Sequence, residues 1–85
     1  MRTFEYTITD PVGIHARPAG ALAKVAKVFV SKTVIFTGEK SAEATRLMSV
    51  MGLCIGRGDR IRVEITGEDE DRAAEEIERF FRERL

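Results

Sequence analysis

The sequence predicts an α+β open-faced sandwich, a four-stranded, mainly antiparallel sheet covered on one face by three helices in the order β-α-β-β-α-β-α. Three observations carry this. Residues 2–8 and 60–65 alternate apolar with polar side chains, the period of strands that bury one face only. Residues 16–29 and 69–84 instead repeat apolar side chains at three- and four-residue steps, the mark of helices with one buried stripe. The chain has 85 residues, enough for one core and too few for two, so residues 1–85 are expected to form a single domain. One-sided strands and one-striped helices bury their apolar surfaces most simply by stacking as two layers.

Each element follows from its own residues. In the first strand Phe4, Tyr6 and Ile8 fall on one side and Thr3, Glu5 and Thr7 on the other, until Asp10-Pro11-Val12-Gly13 turns the chain. From Ala16, the positions Ala19, Leu22, Ala23, Ala26 and Phe29 share a helical face that leaves out Lys24 and Lys27. Pro18 suits the first turn, where its missing N–H costs no helical hydrogen bond. Lys32 to Thr37 is rich in β-branched and aromatic residues, and Gly38-Glu39-Lys40 can fold it back onto a short strand near Ser41 and Ala42.

Leu47, Met48, Val50, Met51 and Leu53 are too dense for a one-sided strand. They fit a short helix with apolar residues partly on its outside, ended by Gly52 or Gly56. Arg46 is a poor N-cap for it, which leaves Thr45 as the expected cap. Gly56-Arg57-Gly58-Asp59 is a turn, and Ile61, Val63 and Ile65 form the last strand, closed by Gly67. The final helix points Ala73, Ala74, Ile77, Phe80 or Phe81, and Leu85 inward. Glu75–Arg79 and Glu78–Arg82 pairs are expected outside, with the acids of 68–71 at its positive N-terminal end.

Composition excludes several classes of function. With 44% hydrophobic and 33% charged residues the chain reads as globular. Cys54 and His15 are the sole residues of their types, so neither an internal disulfide nor a zinc site of several Cys and His ligands can be assembled, and no metal or cofactor is expected. Cys54, in the run Leu53-Cys54-Ile55, reads as a buried inert thiol. The first residues lack the apolar stretch of a signal peptide, and Leu47–Ile55 is far shorter than the roughly 20 residues that span a bilayer. A cytoplasmic, monomeric protein without membrane insertion is the expectation. Neither a G-x-x-x-x-G-K-[ST] loop nor a dinucleotide loop is present.

Chemistry concentrates in Gly13-Ile14-His15-Ala16-Arg17-Pro18-Ala19, which sets the one histidine where a loop ends and a helix begins. Free N–H groups and the positive end of the helix dipole favour an anion there, and phosphate is a natural occupant. The same field disfavours the imidazolium, which inclines His15 toward the neutral, nucleophilic form. Arg17 can add a charge-assisted contact to phosphoryl oxygens. Neither Ser nor Cys lies beside His15 in sequence, so this histidine suits carrying a group better than activating water. Lys24 and Lys27 fit either a solvated face or a docking surface. Leu47 fits the core as well as a surface, whereas Met48 and Met51 are read as partner contacts because Val50 and Leu53 can fill the interior. Arg57-Gly58-Asp59 spells an adhesion tripeptide, but a turn before a strand accounts for all three residues.

Over essentially its whole length the chain resembles the HPr family, the histidine-containing phosphocarriers of the bacterial phosphoenolpyruvate-dependent sugar phosphotransferase system. The likeness lies in the length, the element order, the Gly13–Ala19 segment, Leu47-Met48, Gly58-Asp59 and Gly67-Glu68-Asp69. It implies that His15 accepts a phosphoryl group on Nδ1 from phosphorylated Enzyme I and passes it to enzyme IIA domains, as a stoichiometric carrier rather than a stand-alone enzyme. It further implies that the backbone of Ala16 and Arg17 holds the phosphate with the Arg17 side chain. Partners would dock on Ala16, Arg17, Gly20, Lys24, Lys27, Leu47, Met48, Met51, Gly52 and Gly56. Many relatives carry a regulatory serine just before the Leu-Met pair. Here that position is Arg46, and neither Thr45 nor Ser49 aligns with it.

Two other readings share these residues: a paralogue in a nitrogen-related regulatory chain, and a regulatory module that binds a protein or anion without turnover. The charge distribution bears on all of them. Fourteen cations cancel fourteen acids, which at first withholds the cationic excess that nucleic acid or an anionic membrane requires. Residues 68–85 nevertheless hold eight acids and four bases, a net of −4, so residues 1–67 carry +4. Between Pro11 and Gly38 there are four cations and no acid. That front suits acidic protein surfaces, and no nucleic-acid partner is expected.

Overall fold

The computed structural model describes residues 1–85. Its elements are β1 (Arg2–Thr7), α1 (Ala16–Lys27), β2 (Lys32–Thr37), β3 (Lys40–Glu43), α2 (Leu47–Gly52), β4 (Arg60–Thr66) and α3 (Glu70–Arg84). The strands form one sheet in the order β1-β4-β2-β3, with every neighbouring pair antiparallel. This is the α+β open sandwich that the two periodicities imply.

Alternation along the strands decides which face is covered. Ile61, Val63 and Ile65 of β4 are buried, and Ile35 of β2 and Ala42 of β3 join them on the same face, where Ile35 stands opposite both Val63 and Ala42. The helices contribute Leu22 and Ala26, Val50, and Ile77 and Phe81 to the same core. Phe81 fixes α3 on β1, because the rings of Phe4 and Tyr6 meet it edge-on with centroids 5.7 and 5.8 Å away. Phe80 is buried as well as Phe81, its ring edge-on to Phe81 and capped by the Arg84 guanidinium.

The other face of the sheet neutralises its own charges. Arg60 pairs with Glu5, Arg62 pairs with Glu64 and lies over the Phe36 ring, and Lys32 pairs with Glu43. At the opposite end from β1's exit, Asp69 ties the start of α3 to the start of β2. Its carboxylate accepts hydrogen bonds from the N–H groups of Val30 and Ser31, each 3.0 Å, and from the Ser31 hydroxyl. These donors hold its carboxyl below the ordinary range, the Ser31 hydroxyl foremost.

Three sequence expectations need correction. Cys54 is exposed, not buried, and has φ +55°. After α2 the chain alternates Leu53 in, Cys54 out and Ile55 in, so flanking apolar residues do not imply a buried thiol between them. Thr45 does not cap α2. Arg46 takes the cap position with extended backbone and no side-chain cap bond, and its Nε instead lies 3.1 Å from Glu43 Oε2. On α3 the Glu78–Arg82 pair forms at 3.5 Å, but Arg79 turns to Glu76, 2.8 Å away, rather than to Glu75.

Candidate functional site

The loop from Ile8 to His15 is held by backbone contacts at both ends. Thr9 and Asp10 donate their N–H groups to the Leu85 carbonyl at 2.7 and 2.9 Å, and the Thr9 hydroxyl reaches the same oxygen. Asp10 then forms a local turn, accepting from Val12 N–H on its side chain and from Gly13 N–H on its carbonyl. Gly13 has φ +77°, and a Cβ there would lie 2.3 Å from the Ile55 carbonyl oxygen and 2.7 Å from the Gly56 Cα. Only a glycine lets these two backbones meet so closely. Ile14 completes the join by donating its N–H to that Ile55 carbonyl at 3.0 Å while burying its side chain.

His15 follows as the N-cap of α1, in extended conformation, its carbonyl accepting the first helical bond from Ala19 N–H. Its imidazole makes no capping bond. The ring is therefore half-buried and uncommitted at the positive end of a 12-residue helix whose first turn contains no acid. Pro18 has no N–H to offer, and the N–H groups of Ala16 and Arg17 have no acceptor within the protein. Arg17 is exposed and forms no ion pair, as are Lys24 and Lys27 further along the helix. The arrangement sets an imidazole without a hydrogen-bond partner at a helix N-cap, followed by two N–H donors without acceptors and by an exposed, unpaired guanidinium.

The second helix brings the remaining predicted residues alongside. α1 packs against α2, which turns Val50 inward and leaves Met48 76% and Leu47 37% exposed. Met51 is half-buried against the core, so only part of its side chain reaches the surface. Gly20, half-buried, and Gly52, exposed, keep side chains off this surface, while Gly56 lies against the His15 loop through Gly13. Arg46 stands at the head of α2 with its guanidinium on Glu43. Glu43 also holds Lys32 Nζ at 3.3 Å, and the two cations keep its carboxyl below the usual range, the Lys32 bond first. None of the surface cavities is lined by His15 or Arg17. An open site of this kind suits a reacting group presented by another macromolecule better than a small substrate that must be enclosed.

The family model described as the PTS HPr component phosphorylation site matches residues 2–83. The chain belongs to the HPr family. Its HPr relatives include the phosphocarrier protein HPr of Lysinibacillus sphaericus, 42% identical over 77 residues that make up 91% of this chain and 88% of that one. Among solved structures, the histidine-containing phosphocarrier protein of Mycoplasma superposes with a TM-score of 0.90 at 39% identity, covering 93% of this chain and 90% of that one. HPr-C-His from Thermoanaerobacter tengcongensis gives 0.91 at 26% identity, with 96% and 92% covered. The HPr open sandwich and the phosphocarrier role in the phosphotransferase system are thereby fixed for this chain. No helix is long and apolar enough to cross a membrane.

Proposed function

We propose that His15 accepts a phosphoryl group on Nδ1 from phosphorylated Enzyme I and passes it to enzyme IIA domains, with residues 1–85 acting as a monomeric, cytoplasmic HPr domain. The observation that carries this is the uncommitted imidazole at the N-cap of α1 beside the unpaired N–H groups of Ala16 and Arg17. In the transfer the Nδ1 lone pair forms a bond to phosphorus as the bond to the donor histidine breaks, and the ring proton stays on Nε2. The N–H groups of Ala16 and Arg17, which the fold leaves without acceptors, meet charge on the phosphoryl oxygens, and donors held in place in this way supply much of the stabilisation of such a transfer. The Arg17 guanidinium adds a mobile cation to the same oxygens. Transfer onward is the same displacement in reverse, toward a histidine of the acceptor.

Docking is proposed on α1, α2 and the segment after α2 through Gly20, Lys24, Lys27, Leu47, Met48, Met51, Gly52 and Gly56. Met48 supplies an exposed, adaptable apolar anchor there. Because Arg46 occupies the position of the regulatory serine, a kinase that phosphorylates that serine has no hydroxyl to act on here.

The test is incubation with Enzyme I and labelled phosphoenolpyruvate, comparing the intact protein with His15→Ala. Acid-labile, alkali-stable label on the intact protein and none on the variant is the expected result. An unlabelled intact protein refutes the carrier reading, and label that survives His15→Ala moves the site elsewhere.

A further inference from the structure

The ten arginines are not equally available. Six are ion-paired to acids of the chain, and Arg72 and Arg84 lie over the rings of Phe29 and Phe80. Arg17 and Arg57 alone have neither kind of partner. Arg57 lies outside the docking residues named above, yet it grows from the segment that meets the His15 loop. Its neighbour Gly56 is the residue whose Cα lies against Gly13.

The turn that carries Arg57 is closed on all sides. Asp59 donates its N–H to the Gly56 carbonyl at 3.1 Å, and its carboxylate accepts from Gly56 N–H at 2.8 Å. Gly58 N–H donates to the Ile8 carbonyl at 2.8 Å. The one acid in the turn thus has its carboxylate turned onto a backbone N–H, and Arg57 stands exposed without an ion pair to it or to any other acid of the chain. Because the backbone beneath it is already ordered, a free guanidinium on this turn loses only side-chain freedom on binding. A carboxylate is the group its planar fork fits best on a protein surface.

From this we infer that Arg57 is a specificity-determining docking residue, extending the basic front of α1 across the Gly13–Gly56 contact to meet a carboxylate beside the phosphohistidine of the donor protein. The inference rests on the phosphocarrier reading proposed above. Its partner is an acidic protein surface, since Arg17, Lys24 and Lys27 on α1 and Arg57 on the turn that meets the His15 loop are four exposed cations that pair with no acid of the chain.

Steady-state transfer from Enzyme I should be measured for the intact protein, Arg57→Ala, Arg57→Glu and Arg79→Ala, the last removing the same charge from the outside of α3. Arg57→Ala should raise KM about fivefold, the worth of one exposed pair of charges, with kcat within about twofold. Arg57→Glu should raise KM further, and both effects should shrink at high salt. A KM for Arg57→Ala equal to that of Arg79→Ala overturns the inference. So does a loss confined to kcat, which would make Arg57 a ligand of the phosphoryl group instead. Absence of transfer to the intact protein is a different failure, that of the phosphocarrier reading itself.

Discussion

Gly13 faces the carbonyl of Ile55 with no room for a side chain between them: a Cβ would sit 2.3 Å from that oxygen, and the next residue, Ile14, donates its N–H to the same atom. This contact makes the entry to α1 and the exit from α2 one unit, so the histidine and the exposed apolar face of α2 hold a fixed spacing. It also depends on one glycine. Gly13→Ala should destabilise the protein by about 3 kcal/mol or more, adding a backbone clash to the ordinary cost of positive φ. Gly38→Ala is the comparison, since Gly38 has φ +58° with nothing within 4 Å, and about 1 kcal/mol is expected there. Urea unfolding of both variants measures the difference. Equal losses would mean that the Gly13–Ile55 approach adds nothing to the cost of the backbone angle.

Acid should loosen the far end of the molecule through Asp69. Its folded-state pKa lies below the ordinary value, so the stability it contributes is complete above the unfolded carboxyl pKa of about 3.9. That stability is lost as pH falls through the depressed folded value, when the proton removes acceptance from Ser31 and Val30. Asp69→Asn should therefore lower Tm at neutral pH and flatten the fall in Tm below about pH 4. Thermal scans across that range give the answer, and Tm curves that run parallel in the two proteins would exclude Asp69 as a source of the acid limb.

The two faces of α2 should answer substitution differently. Val50 is fully buried and Met48 is 76% exposed, although only Ser49 separates them in sequence. Val50→Ala should cost about 2 kcal/mol through lost burial and the cavity left behind. Met48→Ala should stay within about 0.5 kcal/mol of the intact protein and raise KM for Enzyme I with little change in kcat. Unfolding and transfer kinetics on the same pair of variants separate the two roles. A Met48→Ala protein with unchanged KM removes this side chain from the docking surface.

Much of this was legible in the sequence because the signals were periodic. Alternation over Phe4, Tyr6 and Ile8, and over Ile61, Val63 and Ile65, identified the strands, and the Gly13–Ala19 segment identified the loop-to-helix junction that bears His15. What escaped was set by tertiary contact. Nothing in Gly13 itself says that its partner is the carbonyl of Ile55, forty-two residues on. In the sequence Arg57 is one cation among fourteen, and only the pairing of eight other arginines with acids or rings sets it apart, together with Arg17. The direction of Arg79 was likewise a choice among neighbouring acids of similar spacing, decided by rotamers that no pattern encodes.

Cys54 illustrates the same limit and yields the last prediction. Its neighbours Leu53 and Ile55 are buried, yet its own side chain is exposed and its φ is +55°, a conformation that costs a residue with a Cβ about 1–2 kcal/mol. Glycine escapes that cost but gains freedom in the unfolded chain worth about 0.4–1 kcal/mol, so the two effects oppose each other. The first is the larger. Cys54→Gly should stabilise the protein by about 0.5–1 kcal/mol, read as a higher denaturation midpoint at unchanged slope. In the intact folded protein the thiol should react with an aromatic disulfide reagent at close to the rate of the unfolded chain, because its exposure leaves nothing to open first. A thiol that reacts only on unfolding, together with a Cys54→Gly protein less stable than the parent, would place the side chain inside the core and reverse both expectations.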